Sequence, residues 1–128
     1  IDTELGWGRI ENGRWREREA RGVYENLRPT LRSAIETLKE FDIPATWGIV
    51  GGLLVRPSEL ELDHLPSLVK DKVWAAMQEA KSSSFQGGDL IEMLIEGLPE
   101  HEFACHTYSH TRFTFDGFTQ DAATREIE

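Results

Sequence analysis

Cysteine is nearly absent: Cys105 is the single one in 128 residues, so no intramolecular disulfide framework holds the chain. Basic residues are also short, 14 Lys and Arg against 23 Asp and Glu, for a formal net charge of −9 with His neutral. A nucleic-acid surface needs a basic face to displace counterions from phosphates, so this balance argues against one, and equally against an anionic membrane. No apolar run approaches the roughly 20 residues that cross a bilayer. No signal-peptide pattern opens the chain, and sparse cysteine use slightly favours cytoplasm. Internal repeats and low-complexity tracts are missing too. What is present, 39% hydrophobic and 29% charged residues, is the balance of a folded globular chain rather than a disordered one. A chain of this length buries roughly two-thirds of the surface its unfolded form exposes, enough for a real core.

The hydrophobic spacing predicts alternating helices and strands. Leu27, Leu31, Ala34, Ile35, Leu38 and Phe41 form one stripe at helical period. Asn26 is its expected N-cap and Pro29 falls in its first turn, where a missing N–H costs nothing. Ile43-Pro44 stops it, since a residue before proline avoids the helical region. The apolar run 45–50, closed by Gly51-Gly52, reads as a buried strand of a parallel sheet. Leu65, Leu68, Val69, Val73, Ala76, Met77 and Ala80 mark another helix, with Trp74 beside the stripe. Residues 81–88 read as a loop, and Asp89 caps a short helix over 90–96 that Gly97 and Pro99 end. Glu102-Phe103-Ala104-Cys105 reads as a strand, and Thr119 caps a last helix that has no stop signal before Glu128. The charged stretch 14–21 around Trp15 reads as a solvated loop. This alternation favours an α/β fold with parallel strands, whose chemistry lies at the strands' C-terminal ends. Both ends read as cut, Ile1 because no strand precedes it and Glu128 because it falls inside a helix, so the expectation is a segment of a larger domain.

Two short motifs carry chemistry. His106-Thr107-Tyr108-Ser109-His110 puts two imidazoles four residues apart just after a strand. On a helical turn these share a face and can meet one ion, such as zinc; the alternative is a pair of surface or core histidines. The Glu of a His-Glu-x-x-His protease helix is lacking, which argues against a zincin. Asp2-Thr3-Glu4 offers two carboxylates that point the same way on extended backbone, the alternative being a solvated acidic end. Combined, the motifs supply what a hydrolytic metal site needs, about three protein ligands with a position left for water, and a second carboxylate to take a proton.

At these residues the chain resembles the polysaccharide deacetylases of the NodB-homology group, carbohydrate esterase family 4. Ile1-Asp2-Thr3-Glu4 is similar to the family's first motif, usually Thr-Phe-Asp-Asp. Phe41-Asp42-Ile43-Pro44-Ala45-Thr46-Trp47 resembles its first helix, turn and second strand. Glu100 through His110, reading Glu-His-Glu-Phe-Ala-Cys-His-Thr-Tyr-Ser-His, resembles its second motif, and the segment 121–128 resembles the helix that follows. The resemblance implies a partial, distorted (β/α) barrel truncated at both ends, with residues 1–128 forming part of a deacetylase domain that lacks the body of its first strand and its C-terminal motifs. It implies a divalent metal, most often zinc, and hydrolysis of N- or O-acetyl groups on a sugar or polysaccharide substrate. It makes Asp2 the general base, His106 and His110 metal ligands, and Thr107 the hydroxyl that braces the loop between them. Thr3 stands where the family has its metal-binding Asp, so Glu4 becomes the third ligand, with Asp2 the alternative. The arginine and proline segment and the histidine general acid of the family are expected beyond Glu128. A non-sugar amide substrate, or a silent glycan-binding relative, are the rival readings.

Other residues have weaker claims. Trp7 either stacks on a sugar ring or belongs to the core; Tyr108 either contacts substrate or packs. Trp47 and Trp74 read as core. His64 and His101 have no evident partner and read as non-functional, and Cys105 reads as a buried thiol beside the site. Arg9, Arg14, Arg16 and Arg18 read as solvated.

Overall fold

The computed structural model describes residues 1–114 and 116–128. Their order is β1 (Asp2–Thr3), α1 (Trp15–Ala20), α2 (Val23–Glu40), β2 (Thr46–Ile49), α3 (Ser67–Glu79), α4 (Gly88–Gly97), β3 (Glu102–Cys105) and α5 (Gln120–Arg125). Short 3-10 turns lie at Trp7–Arg9, Gly51–Leu53, Pro57–Glu59 and Ser82–Ser84. Among the described residues the three strands form one parallel sheet, β1-β2-β3, with Asp2 opposite Gly48 and Ile49 opposite Cys105. β2 is therefore central, and the exits of all three strands lie along one edge.

Two apolar clusters hold the sheet. Ile35 of α2 packs with Trp47, Ile91, Leu94 and Leu98. A larger cluster gathers Trp7, Trp15, Tyr24, Val50, Leu53, Val73 and Phe85 around the chain beyond the strand exits. Leu31 touches both, so the α2 stripe joins the two halves of the core.

Several local expectations change on contact with tertiary structure. The mixed-charge segment 14–21 is a helix, not a loop: Trp15 is buried and meets Phe85 edge-on at 5.5 Å between ring centroids, while the charged residues on either side face water. Helix α2 begins at Val23, a turn before Asn26, because Gly22 takes a left-handed φ of 68° that turns α1 into it. Asn26 donates its side-chain amide to the Gly22 carbonyl instead of capping. Pro29 thus lies inside the helix; the carbonyl it cannot reach belongs to exposed Glu25. Phe41 and Leu68 leave their stripes and are exposed. Asp89 is in the first turn of α4 behind Gly87, gripped by Arg28. Helix α5 does have an end before Glu128: it stops at Arg125, with Glu126 as its C-cap. Cys105 is exposed, not buried.

Candidate metal centre

The parallel register decides what meets at the sheet edge. Asp2 pairs with Gly48 and Gly48 with Ala104; partners in register point to one face, and His106, two residues past Ala104, shares it. A Cβ at Gly48 would stand 3.1 Å from Asp2 Oδ1 and 3.4 Å from His106 Cβ. The bare glycine lets the flanking strands approach across β2. Glu4 follows β1 directly, and the His106 amide donates to the Ile49 carbonyl at 2.8 Å, extending the ladder one residue beyond β3.

No helix carries the two histidines, so their shared direction has another cause. Thr107 and His110 take left-handed φ values of 62° and 60°, unusual for residues with a Cβ and most unusual for a β-branched one. Strain of this kind, about 1–3 kcal/mol per residue, persists only where surroundings over-determine it. Here they do. The His110 amide donates to Thr107 Oγ1 at 3.0 Å. The Gly51 and Gly52 amides donate to the Thr107 and Tyr108 carbonyls at 3.0 and 2.8 Å, tying the turn to the exit of β2. The two imidazoles end up 4.9 Å apart between centroids, edge to face.

Glu4 completes the group. Its Oε2 lies 2.8 Å from His110 Nε2, and one ligand atom each from Glu4, His106 and His110 falls within 4.8 Å of the others. All three side chains are about one-third exposed or less, so the group is partly sheltered but reachable. Asp2 stands outside this trio, Oδ2 3.9 Å from His106 Nε2, and is 65% exposed. Ligand atoms at about 2.0–2.2 Å from one ion lie roughly 3–4 Å from each other. Two imidazoles and a carboxylate at this spacing could hold a metal ion.

The other expected residues are placed differently. Trp7 belongs to the core: it is 2% exposed, its Nε1 donates to the Phe85 carbonyl at 2.9 Å, and its ring covers the bare Cα of Gly52. No ring face is left for a sugar. Tyr108 packs against the larger core cluster and its hydroxyl accepts the Glu61 amide at 3.2 Å, so packing describes its placement. His101 Nδ1 accepts from Trp47 Nε1 at 3.3 Å.

Glu126 and His64 were not legible as partners of this region. Glu126 is 1% exposed, shares a 2.7 Å hydrogen bond with His64 Nε2 and accepts the Ser109 amide at 2.9 Å. The available signal was spacing: Glu126 is four residues beyond buried Ala122, on the same face of α5.

No family model, curated protein or solved structure matches the chain.

Proposed function

We propose that the chain is part of a metal-dependent carbohydrate deacetylase of the NodB-homology type, a hydrolase that removes N- or O-acetyl groups from a sugar or polysaccharide. The observation that carries this reading is the meeting of Glu4 with His106 and His110, ligand atoms within 4.8 Å, at the sheet edge where α/β folds keep their chemistry. The motif resemblance supports it independently of that geometry.

Glu4, His106 and His110 hold the ion, zinc being the one this donor set suits best. When bound, such an ion supplies Lewis acidity for an acetyl carbonyl and lowers the pKa of water to around 7. The carboxylates of Asp2 and Glu4 together would balance the charge of a divalent ion. Asp2, exposed and 3.9 Å from His106, takes the proton of the attacking water as general base. Thr107 holds the turn through its bond with the His110 amide.

Zinc titration of the full chain tests the ligand set, with one ion per chain expected and loss of binding in His106→Ala and His110→Ala. Unchanged stoichiometry in His110→Ala rejects the assignment. Acetate release from acetylated chitooligosaccharides, suppressed by a chelator, tests the reaction. Hydrolysis of cyclic amides with no acetate release from any acetylated carbohydrate rejects the substrate class.

A further inference from the structure

We propose that Glu126, held by His64, is the positioning residue for the His106–His110 turn; this rests on the reading of that turn as a source of metal ligands. A fully buried carboxylate is costly, and an apolar residue of the same volume is often neutral or better for stability. Glu126 nevertheless directs two of its three acceptor oxygens at this turn and the third at His64. Oε2 accepts the Ser109 amide at 2.9 Å, its backbone carbonyl accepts the Tyr108 amide at 2.8 Å, and Oε1 takes the His64 Nε2 bond at 2.7 Å. With the His110 amide on Thr107 Oγ1, each of the three successive amides 108–110 has a named acceptor. Two of those acceptors belong to Glu126.

His64 makes this bond from a buried ring that also meets Tyr108, 6.2 Å between centroids. Its side chain is 2% exposed, and its Nδ1 is buried without a hydrogen bond among the described residues. The ring's only polar bond there is the one to Glu126. The bond joins the ring edge of His64 to one carboxylate oxygen of Glu126 and leaves the other oxygen for the Ser109 amide. His64 thereby locks the rotamer of Glu126, and Glu126 locks the amide that precedes His110. The pair acts on the ligand geometry through the backbone amides of the turn, and its loss should weaken metal binding at the lower end of the roughly 10–100-fold range seen when ligand support is removed.

Glu126→Met keeps the volume and removes both side-chain acceptors; Glu126→Gln keeps an acceptor for Ser109 and turns an amide N–H to His64, which accepts it in the tautomer that leaves Nε2 unprotonated. Cobalt(II) binding, followed by its visible spectrum in the full chain, should weaken at least about tenfold in Glu126→Met with an altered spectrum, and stay within about threefold in Glu126→Gln. In the metal-free chain, the imidazole NMR signals of His106 and His110 should move in the Met variant and return in the Gln variant. That second reading needs no metal, so failure of wild type to take cobalt would sink the deacetylase reading while the positioning claim is still decided. Should Glu126→Met not fold, His64→Phe carries the same two expectations. Wild-type cobalt affinity, spectrum and imidazole signals in a folded Glu126→Met or His64→Phe chain overturn the proposal.

Discussion

The carboxylate of Glu4 lies over the bare Cα of Gly8, where a Cβ would collide with it. Gly8 belongs to the 3-10 turn Trp7–Arg9, and the atoms it would strike are the flexible end of a side chain, not backbone. An added methyl therefore pushes the carboxylate aside at little cost to the fold. Gly8→Ala should lower metal affinity tenfold or more, as loss of ligand support does, while shifting Tm by less than about 3 °C. Isothermal titration beside a thermal melt checks both. An unaltered affinity would mean that Glu4 is not a ligand.

Asp2 and Glu4 should separate cleanly. Asp2→Asn, outside the trio, is expected to keep zinc binding and lower kcat about 100-fold or more, the scale of a lost general base. Glu4→Gln is expected to lose zinc affinity first. If Asp2→Asn is the variant that loses the ion, Asp2 is the carboxylate ligand and the two roles exchange.

Trp7 gives a test that distinguishes core from sugar platform. Trp7→Ala empties a site at the centre of the larger cluster and should destabilise the fold by about 3–5 kcal/mol, read by denaturant unfolding. Trp7→Phe keeps most of the volume but leaves the Phe85 carbonyl without its indole donor, for about 1–3 kcal/mol. KM for an acetylated oligosaccharide should be unaltered in folded Trp7→Phe; a raised KM with unchanged stability would return Trp7 to the substrate.

Arg28 fixes an acid-dependent contribution to stability. Its guanidinium meets Asp89 at 2.6 and 2.9 Å, and this hydrogen-bonded cation, outweighing partial burial, holds the Asp89 carboxyl below its ordinary range. A carboxyl depressed in the folded state adds stability that is present above its unfolded pKa of about 3.9 and is lost as pH falls through the folded value. Arg28→Met should therefore flatten the decline in Tm below about pH 4. Near neutrality the pair, half open to solvent, contributes no more than about 1 kcal/mol. An acid limb of unchanged steepness would contradict this.

Elements whose signals are local were readable from the residues alone. The strand Glu102–Cys105 and the Thr119 cap, whose Oγ1 accepts the Ala122 amide at 3.1 Å, rest on an apolar run and on a capping preference that act within a few residues. Helix α1 was hidden because its buried side chain, Trp15, packs on Phe85, seventy residues away. The start of α2 was misjudged because Asn is a good cap only where the chain enters a helix, and here Gly22 had already turned it. For the candidate centre, the two histidines were visible by spacing, though helical geometry was the wrong reason for their convergence. Glu4 entered as one of the two carboxylates of Asp2-Thr3-Glu4, and choosing it over Asp2 took the resemblance, since nothing local ties position 4 to position 110. Glu126 is not legible as a partner of the turn, because acidic residues ordinarily face water.

Glu4 and the two histidines are about a hundred positions apart along the chain, and the two residue pairs joining β1 to β2, with the Val50 amide on the Thr3 carbonyl, help to bring them together. Detaching that shortest strand leaves a bare histidine pair, so an ion that needs the full set would select molecules whose sheet is complete. Its binding energy would then enter the folding equilibrium directly. Affinity for the ion would read out, in solution and without labels, the fraction of molecules in which the first strand is docked.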